Sequence, residues 1–162
     1  MSKTKEENNI ILETLINIFT VEKGKLKILL ERKKEEPYKG YWVIPGEILN
    51  NQITLEENIE KILNRTIKIP NIYTEQDFTY SNLNRNPNER VVATSYIGLV
   101  ESKIAEIKNN KQENLEINWF YIDEIPKMAF DHKEIIEASL QKLKNKLINT
   151  NILKNLFPND FT

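Results

Sequence analysis

The sequence predicts an α/β sandwich, a mixed β-sheet buried between helices, and three observations carry that reading. Apolar, β-branched-rich runs lie on both sides of one strongly patterned helix, a second pair of runs follows it, and a second long helix comes after them. At 162 residues the chain has the length of one compact domain, long enough to bury about 70% of its unfolded surface.

The first pair of strands is Ile11 to Val21 and Leu26 to Arg32, joined by Glu22-Lys23-Gly24-Lys25, where Gly24 supplies the positive φ of a hairpin turn. A charged loop, Lys33 to Lys39, leads to Gly40-Tyr41-Trp42-Val43-Ile44-Pro45-Gly46, and the Pro-Gly pair predicts a turn after a short apolar strand. Thr54 and Glu57 form a capping box, followed by an apolar stripe of Leu55, Ile59, Ile62 and Leu63 at helical spacing. That helix is expected to stop near Ile69-Pro70, because proline disfavours helical geometry in the residue before it. Tyr73 to Tyr80 and Arg90 to Val100 are the next strands, with the turn-rich Ser81 to Glu89 between them. Glu116 to Tyr121 is a short strand, and Glu124-Ile125-Pro126 is expected to begin one helical turn. Asp131 with Glu134 repeats the capping pattern and opens the second long helix, with core face Ile136, Leu140, Leu143 and Leu147. Asn149 to Thr162 is a weaker helix ending around Phe157-Pro158.

Composition narrows the chemistry. There is no cysteine, which removes disulfides, thiolate ligands and cysteine nucleophiles, and His132 alone cannot build a multi-histidine zinc site. Basic residues number 23 against 24 acids, so the basic surplus of a dedicated nucleic-acid binder is missing. No apolar run reaches the roughly 20 residues of a membrane span, and the polar amino end leads into no signal-peptide core. A soluble, cytoplasmic domain is expected. With only 4 glycines, long phosphate-cradling loops are excluded, leaving carboxylates, arginines, aromatics and backbone amides as the working groups.

The segment Gly40 to Ile69 resembles a Nudix box, in which Trp-x-x-Pro-Gly-Gly leads into Gly-x5-Glu-x7-Arg-Glu-U-x-Glu-Glu-x-Gly-U, with U aliphatic. Here stand Trp42-Val-Ile-Pro-Gly46 and Thr54-Leu-Glu-Glu57, with aliphatic positions matched at Leu63 and Ile69. Further segments strengthen the likeness: Asn71-Ile-Tyr73, Asn84-Arg85-Asn86-Pro87, Arg90-Val-Val, Trp119 to Pro126, and Ala129-Phe-Asp-His-Lys-Glu-Ile-Ile136. Together they are similar to the Nudix-related transcriptional regulators of NAD metabolism. That resemblance implies a Nudix α/β/α sandwich over residues 1–148 that senses ADP-ribose and forms a homodimer. It also implies a DNA-binding winged helix, toward which residues 149–162 would extend, and no DNA binding by this segment itself.

Nudix hydrolases hold Mg²⁺ on glutamates at positions sharing one helix face. On the same alignment those positions are Ile62, Arg65 and Thr66; the loop glutamate falls on Ile53 beside Gln52, and the motif arginine and last glycine fall on Lys61 and Lys68. No catalytic residue, metal ligand or cofactor is therefore expected. Mg²⁺ enters only in the alternative of an ADP-ribose pyrophosphatase with displaced ligands among Glu56, Glu57 and Glu60; first-turn acids equally suit the helix dipole.

The ligand-binding candidates are Arg32, Tyr38, Trp42, Gly46, Arg65, Arg90, Asp131 and His132. Arg32 is placed to reach a diphosphate across the Gly46 turn, or to pair with Glu31 or Glu35. Tyr38 and Trp42 offer aromatic faces for adenine, or plain core. Arg90 suits phosphate or ribose, or an ion pair with Glu89 or Glu101. Asp131 reads as a helix N-cap, and His132, kept neutral in the first helical turn, as a partner for a ribose hydroxyl. Beside the sensor and the hydrolase stands a third reading, a dimerisation scaffold with no ligand.

Overall fold

The computed structural model describes residues 9–67, 72–101 and 116–149, with side chains in the last stretch described to residue 146. Among the described residues seven strands form one mixed sheet: β1 (Ile11–Glu22), β2 (Lys25–Arg32), β3 (Trp42–Val43), β4 (Gly46–Ile48), β5 (Tyr73–Tyr80), β6 (Val91–Leu99) and β7 (Ile117–Tyr121). Two helices, α1 (Leu55–Thr66) and α2 (His132–Asn149), cover its faces. The expected sandwich is what forms.

β1 is the spine. It runs parallel to β6 from Ile11↔Val91 to Phe19↔Leu99, and antiparallel to β2 over Phe19↔Ile28 to Glu22↔Lys25. The hairpin loop is only Lys23-Gly24, with φ of 54° and 75°, tighter than the four-residue connection expected. Positive φ at both positions is what a two-residue loop needs to match strand twist. Beyond Phe19 β1 and β2 part, and β4 takes the vacated edge through Glu13↔Ile48 to Leu15↔Gly46. β2 then pairs with β3 and β7.

Alternation along β1 sorts the core into two layers, since successive side chains point to opposite faces. Leu15, Phe19 and Val21 join Ile28, Leu30, Ile135, Ile136 and Leu143 beneath α2. Ile16 and Ile18 join Leu29, Ile59, Ile62 and Leu63 beneath α1. Two buried asparagines tie the sheet to the helices through their amide nitrogens: Asn17 Nδ2 donates to Ser139 Oγ of α2 at 2.8 Å, and Asn58 Nδ2 of α1 donates to Thr14 Oγ1 at 2.7 Å and Glu47 O at 3.0 Å. The Oδ1 of each has no partner among the described residues.

Four local expectations change. Pro45-Gly46 is not a turn: Gly46 is already the first residue of β4, and Ile16 N–H donates to Pro45 O at 3.0 Å, so the chain continues alongside β1. Glycine is needed there for close approach, because a Cβ would stand 2.6 Å from Leu15 Cδ2 and 3.1 Å from Thr14 O. α1 ends at Thr66, with Ile67 extended and its N–H still reaching Leu63 O at 3.0 Å, while Ile69-Pro70 lies outside the described residues. The turn expected from Glu124 is a 3₁₀ turn over Ile122–Glu124, preceding Pro126 rather than containing it. At the start of α2 the Asp131 carbonyl accepts from Ile135 N–H at 3.1 Å as an N-cap should, but its carboxylate goes to Arg85. The Thr54 cap forms as expected, its Oγ1 accepting from Glu57 N–H at 3.1 Å. The expectations for Leu147 and for the helix over 149–162 fall on residues or side chains outside those described.

Candidate functional site

The parting of β1 from β2 leaves space, and the chain fills it with polar groups. A cavity of about 130 Å³ opens between the diverging strands, β4 and the amino end of α2. Glu13, Glu31, Lys33, Arg85, Asn86 and His132 supply its polar lining, and Leu15, Ile44, Val91 and Phe130 its apolar walls, with Gly46 at one side.

Arg85 is almost fully buried and grips Asp131 with two parallel bonds, Nε to Oδ2 at 3.0 Å and Nη2 to Oδ1 at 2.8 Å. This fork-to-carboxylate geometry spends both charges on each other. His132 accepts the Ile44 N–H at Nδ1, 3.0 Å away, so its proton sits on Nε2. Complete burial, reinforced by Arg85, drives its pKa from the ordinary 6.5 to about 3 and keeps the imidazole neutral. The sequence reading was right that the ring is neutral; the cause is burial rather than the helix dipole. Burial also pushes the Glu13 carboxyl above the ordinary carboxylate range, opposed by Arg85, and it does the same to Glu31, opposed by Arg65. No hydrogen bond reaches the Glu13 carboxyl from the described residues.

On the α1 side, Arg65 reaches under the sheet to Glu31 Oε1, donates from Nη2 to Gly46 O at 2.6 Å, and stands 3.4 Å from Glu47 Oε2 through Nε. Lys61 adds a contact to Glu47 at 3.2 Å. The other two helix positions that would carry metal-binding glutamates are used internally: Ile62 is fully buried in the core and Thr66 Oγ1 donates back to Ile62 O at 2.8 Å. The three oxygens converging here are held by a guanidinium, so this donor set does not fit a Mg²⁺ ion. Among the described residues, no group of three or more His, Cys, Asp and Glu side chains is arranged to hold a metal.

Of the residues singled out from sequence, Gly46 and His132 line the cavity, Asp131 stands behind it through Arg85, and Arg65 borders it through Glu31. The others lie elsewhere. Arg32 does not reach across Gly46; its Nε donates to Gly40 O at 3.1 Å and its Nη1 pairs with Glu116 at 3.3 Å, in place of Glu31 or Glu35. Register explains this: Arg32 is the last residue of β2, paired with Trp42, and belongs to the outer edge. Trp42 is core, its ring edge-on to Phe120 at 4.7 Å. Arg90 ties the Ser81–Glu89 loop, donating to Ser81 O at 2.8 Å, rather than pairing with Glu89 or Glu101. Tyr38, with φ of 64°, packs edge-on against Tyr41 and Phe130, which places it behind the cavity wall. Glu13, Glu31 and Arg85 were missed. The first two left a signal, a lone carboxylate inside each apolar strand, where burying it without a partner is costly. Arg85 left none, standing in an Asn-rich loop that reads as solvated.

This fold recurs in solved structures. The Nudix domain of Shewanella oneidensis NrtR, determined in complex with ADP ribose, superimposes with a TM-score of 0.74 at 23% identity, covering 88% of this chain and 94% of that one. The chain is a Nudix domain. Among curated proteins, this Nudix domain is 30% identical over 152 residues to the ADPR responsive transcriptional repressor NtrR of Acinetobacter baylyi, covering 90% of this chain and 59% of the repressor. It is 31% identical over 112 residues to the ADP-ribose pyrophosphatase of Methanocaldococcus jannaschii, covering 68% of this chain and 64% of the enzyme. The chain thus spans less than two thirds of each of these relatives. No family model matches it.

Proposed function

We propose that this Nudix domain senses ADP-ribose or a related NAD metabolite without hydrolysing it, as the ligand-binding part of a transcriptional regulator of NAD metabolism. The observation that carries the reading is Arg65. A covalently tethered cation is bonded to Glu31, Glu47 and the Gly46 carbonyl where Nudix hydrolysis calls for carboxylates around Mg²⁺. The likeness to a repressor described as ADPR responsive, and to a domain determined with ADP ribose bound, supports the ligand. In this reading Gly46 and His132 contact the ligand at the cavity, with Glu13, Lys33 and Asn86 added to them. Residues 1–148 act as a dimeric sensor, and DNA is read by another part of the regulator.

Calorimetry with ADP-ribose, with and without EDTA, and an assay of AMP release in excess Mg²⁺ test this together. Binding that is unchanged by EDTA, with no AMP released, is the expected result. Turnover would overturn it.

One observation favours the hydrolase as a second reading. Glu57 and Glu60 share an open groove of about 460 Å³ along α1 with Lys61, Asn64 and Arg65. AMP release abolished by Glu57→Gln or Glu60→Gln would establish that reading; Glu56, the other acid considered, does not line this groove.

A further inference from the structure

The cavity is small, and the charges of its two buried arginine–carboxylate pairs are already spent on each other. Pockets that take whole drug-sized ligands enclose roughly 300–1,000 Å³, so a space of about 130 Å³ admits only a fragment of a dinucleotide-like molecule. A phosphate is the wrong fragment. It would be buried beside the Glu13 and Glu31 carboxyls, while Arg85 is committed to Asp131 and Arg65 to Glu31 and Glu47. Lys33 is the remaining cation in the lining, and its Nζ donates to Glu35 O at 3.0 Å.

What the lining presents is an alternation of uncharged donors and an open acceptor. His132 is fixed with Nδ1 taken by Ile44 N–H, which leaves Nε2–H to donate. Asn86 Oδ1 accepts from Asn88 N–H at 2.9 Å and Glu89 N–H at 3.2 Å, which leaves its amide NH₂ to donate. Glu13 offers both carboxylate oxygens with no donor on them. A hydroxyl both gives and takes a hydrogen bond, and one carboxylate receiving ribose hydroxyls is an established mode of nucleotide recognition. Leu15, Val91 and the Phe130 ring supply apolar wall for sugar carbons.

We infer that this cavity is a subsite for an uncharged, vicinally hydroxylated ring, the terminal ribose of an ADP-ribose-like ligand, with Glu13 as the acceptor that selects it. The diphosphate then lies outside the cavity mouth, and the subsite distinguishes a nucleoside diphosphate carrying a second sugar from the bare nucleoside diphosphate. This inference rests on the sensor reading above and adds to it the residue that sets specificity.

The test is calorimetric titration of the wild-type chain, Glu13→Gln and Glu13→Ala with ADP-ribose and with ADP. Hydrogen bonds to a charged group set the scale, about 10- to 100-fold in affinity. Wild type is expected to bind ADP-ribose more tightly than ADP by about that factor. Glu13→Ala is expected to bring ADP-ribose down to the ADP level while leaving ADP unchanged, with Glu13→Gln between, each variant's melting curve showing it folded. ADP binding as tightly as ADP-ribose to wild type overturns the inference without any variant. So does an intact preference in Glu13→Ala, and both results leave the sensor reading standing. Failure of wild type to bind either nucleotide overturns the sensor reading and the subsite with it.

Discussion

Replacing Arg65 with methionine keeps the aliphatic length of the side chain and removes the guanidinium. Three oxygens lose their donor: Glu31 Oε1, Gly46 O at 2.6 Å and Glu47 Oε2 at 3.4 Å. Removing one partner of a buried ion pair costs about 3–5 kcal/mol, because the other charge is left uncompensated. The Arg65 side chain keeps 20% of its exposure and Lys61 still reaches Glu47 at 3.2 Å, which puts the cost at the lower end, about 3 kcal/mol. For a chain of this size that is a drop in Tm of roughly 6–12 °C.

The cost has a pH signature. Glu31 is already raised by burial, and Arg65 is the largest influence opposing the rise, so Arg65→Met raises it further. A carboxyl raised in the folded state favours folding below its unfolded pKa, and that contribution is lost as pH rises through the folded value. The deficit of Arg65→Met is therefore largest at pH 7.5 and shrinks toward pH 5. His132 titrates identically in both proteins and cancels in the difference. Thermal unfolding of wild type, Arg65→Met, Glu31→Gln and the double variant at both pH values checks this, and the double variant should recover at least about 1 kcal/mol relative to additivity. A variant melting within about 2 °C of wild type at pH 7.5, or a deficit unchanged at pH 5, would refute the assignment of Arg65 as the resident cation.

Three other outcomes are expected. Gly46→Ala forces its Cβ onto Leu15 Cδ2 and Thr14 O and should lower the urea midpoint by an amount equivalent to about 1–3 kcal/mol. Asp131→Asn leaves the buried Arg85 guanidinium without its anion and should cost about 3 kcal/mol in the same denaturation measurement. The His132 ring protons should hold constant NMR shifts from pH 8 to pH 5, because the folded pKa is about 3. A base depressed in this way contributes stability above its ordinary 6.5 that is lost as pH falls toward 3; an inflection near 6.5 would contradict the buried, Ile44-bonded ring.

The layers of the fold were legible because they are written in periodicity. Leu55, Ile59, Ile62 and Leu63 repeat at helical spacing and bury one stripe, and the β-branched runs of β1, β2 and β6 became strands within a residue or so of their expected limits. The site was less legible, because it depends on where strands separate rather than on what they contain. Arg32 stood beside Glu31 in sequence, yet adjacent strand residues face opposite ways: Glu31 turns toward α1 and Arg65, while Arg32 turns to Gly40 and Glu116. Pro45-Gly46 carries turn chemistry but serves as the crossing that brings β4 onto β1, a role set by the lack of room for a Cβ, which would stand 2.6 Å from Leu15 Cδ2, and not by local φ. Arg85 and Asp131 lie 46 positions apart, and no local pattern records their pairing.

The two arginine clamps explain how one strand separation can stay both open and polar. Where β1 and β2 part, β4 pairs with β1 and β3 with β2, so the backbone is satisfied and the opening between them is lined by side chains. Arg85 with Asp131 braces the α2 side, and Arg65 with Glu31, Gly46 O and Glu47 braces the α1 side. Each clamp consumes the charges it contains, leaving the space between with neutral donors, Glu13 and Lys33. A metal in the place of Arg65 would bring exchangeable waters and a charge that comes and goes with its concentration, whereas a guanidinium is permanently charged and fixed to the helix. The brace on the α1 side is then part of the fold itself, as the proposed sensor, which binds without hydrolysing, requires.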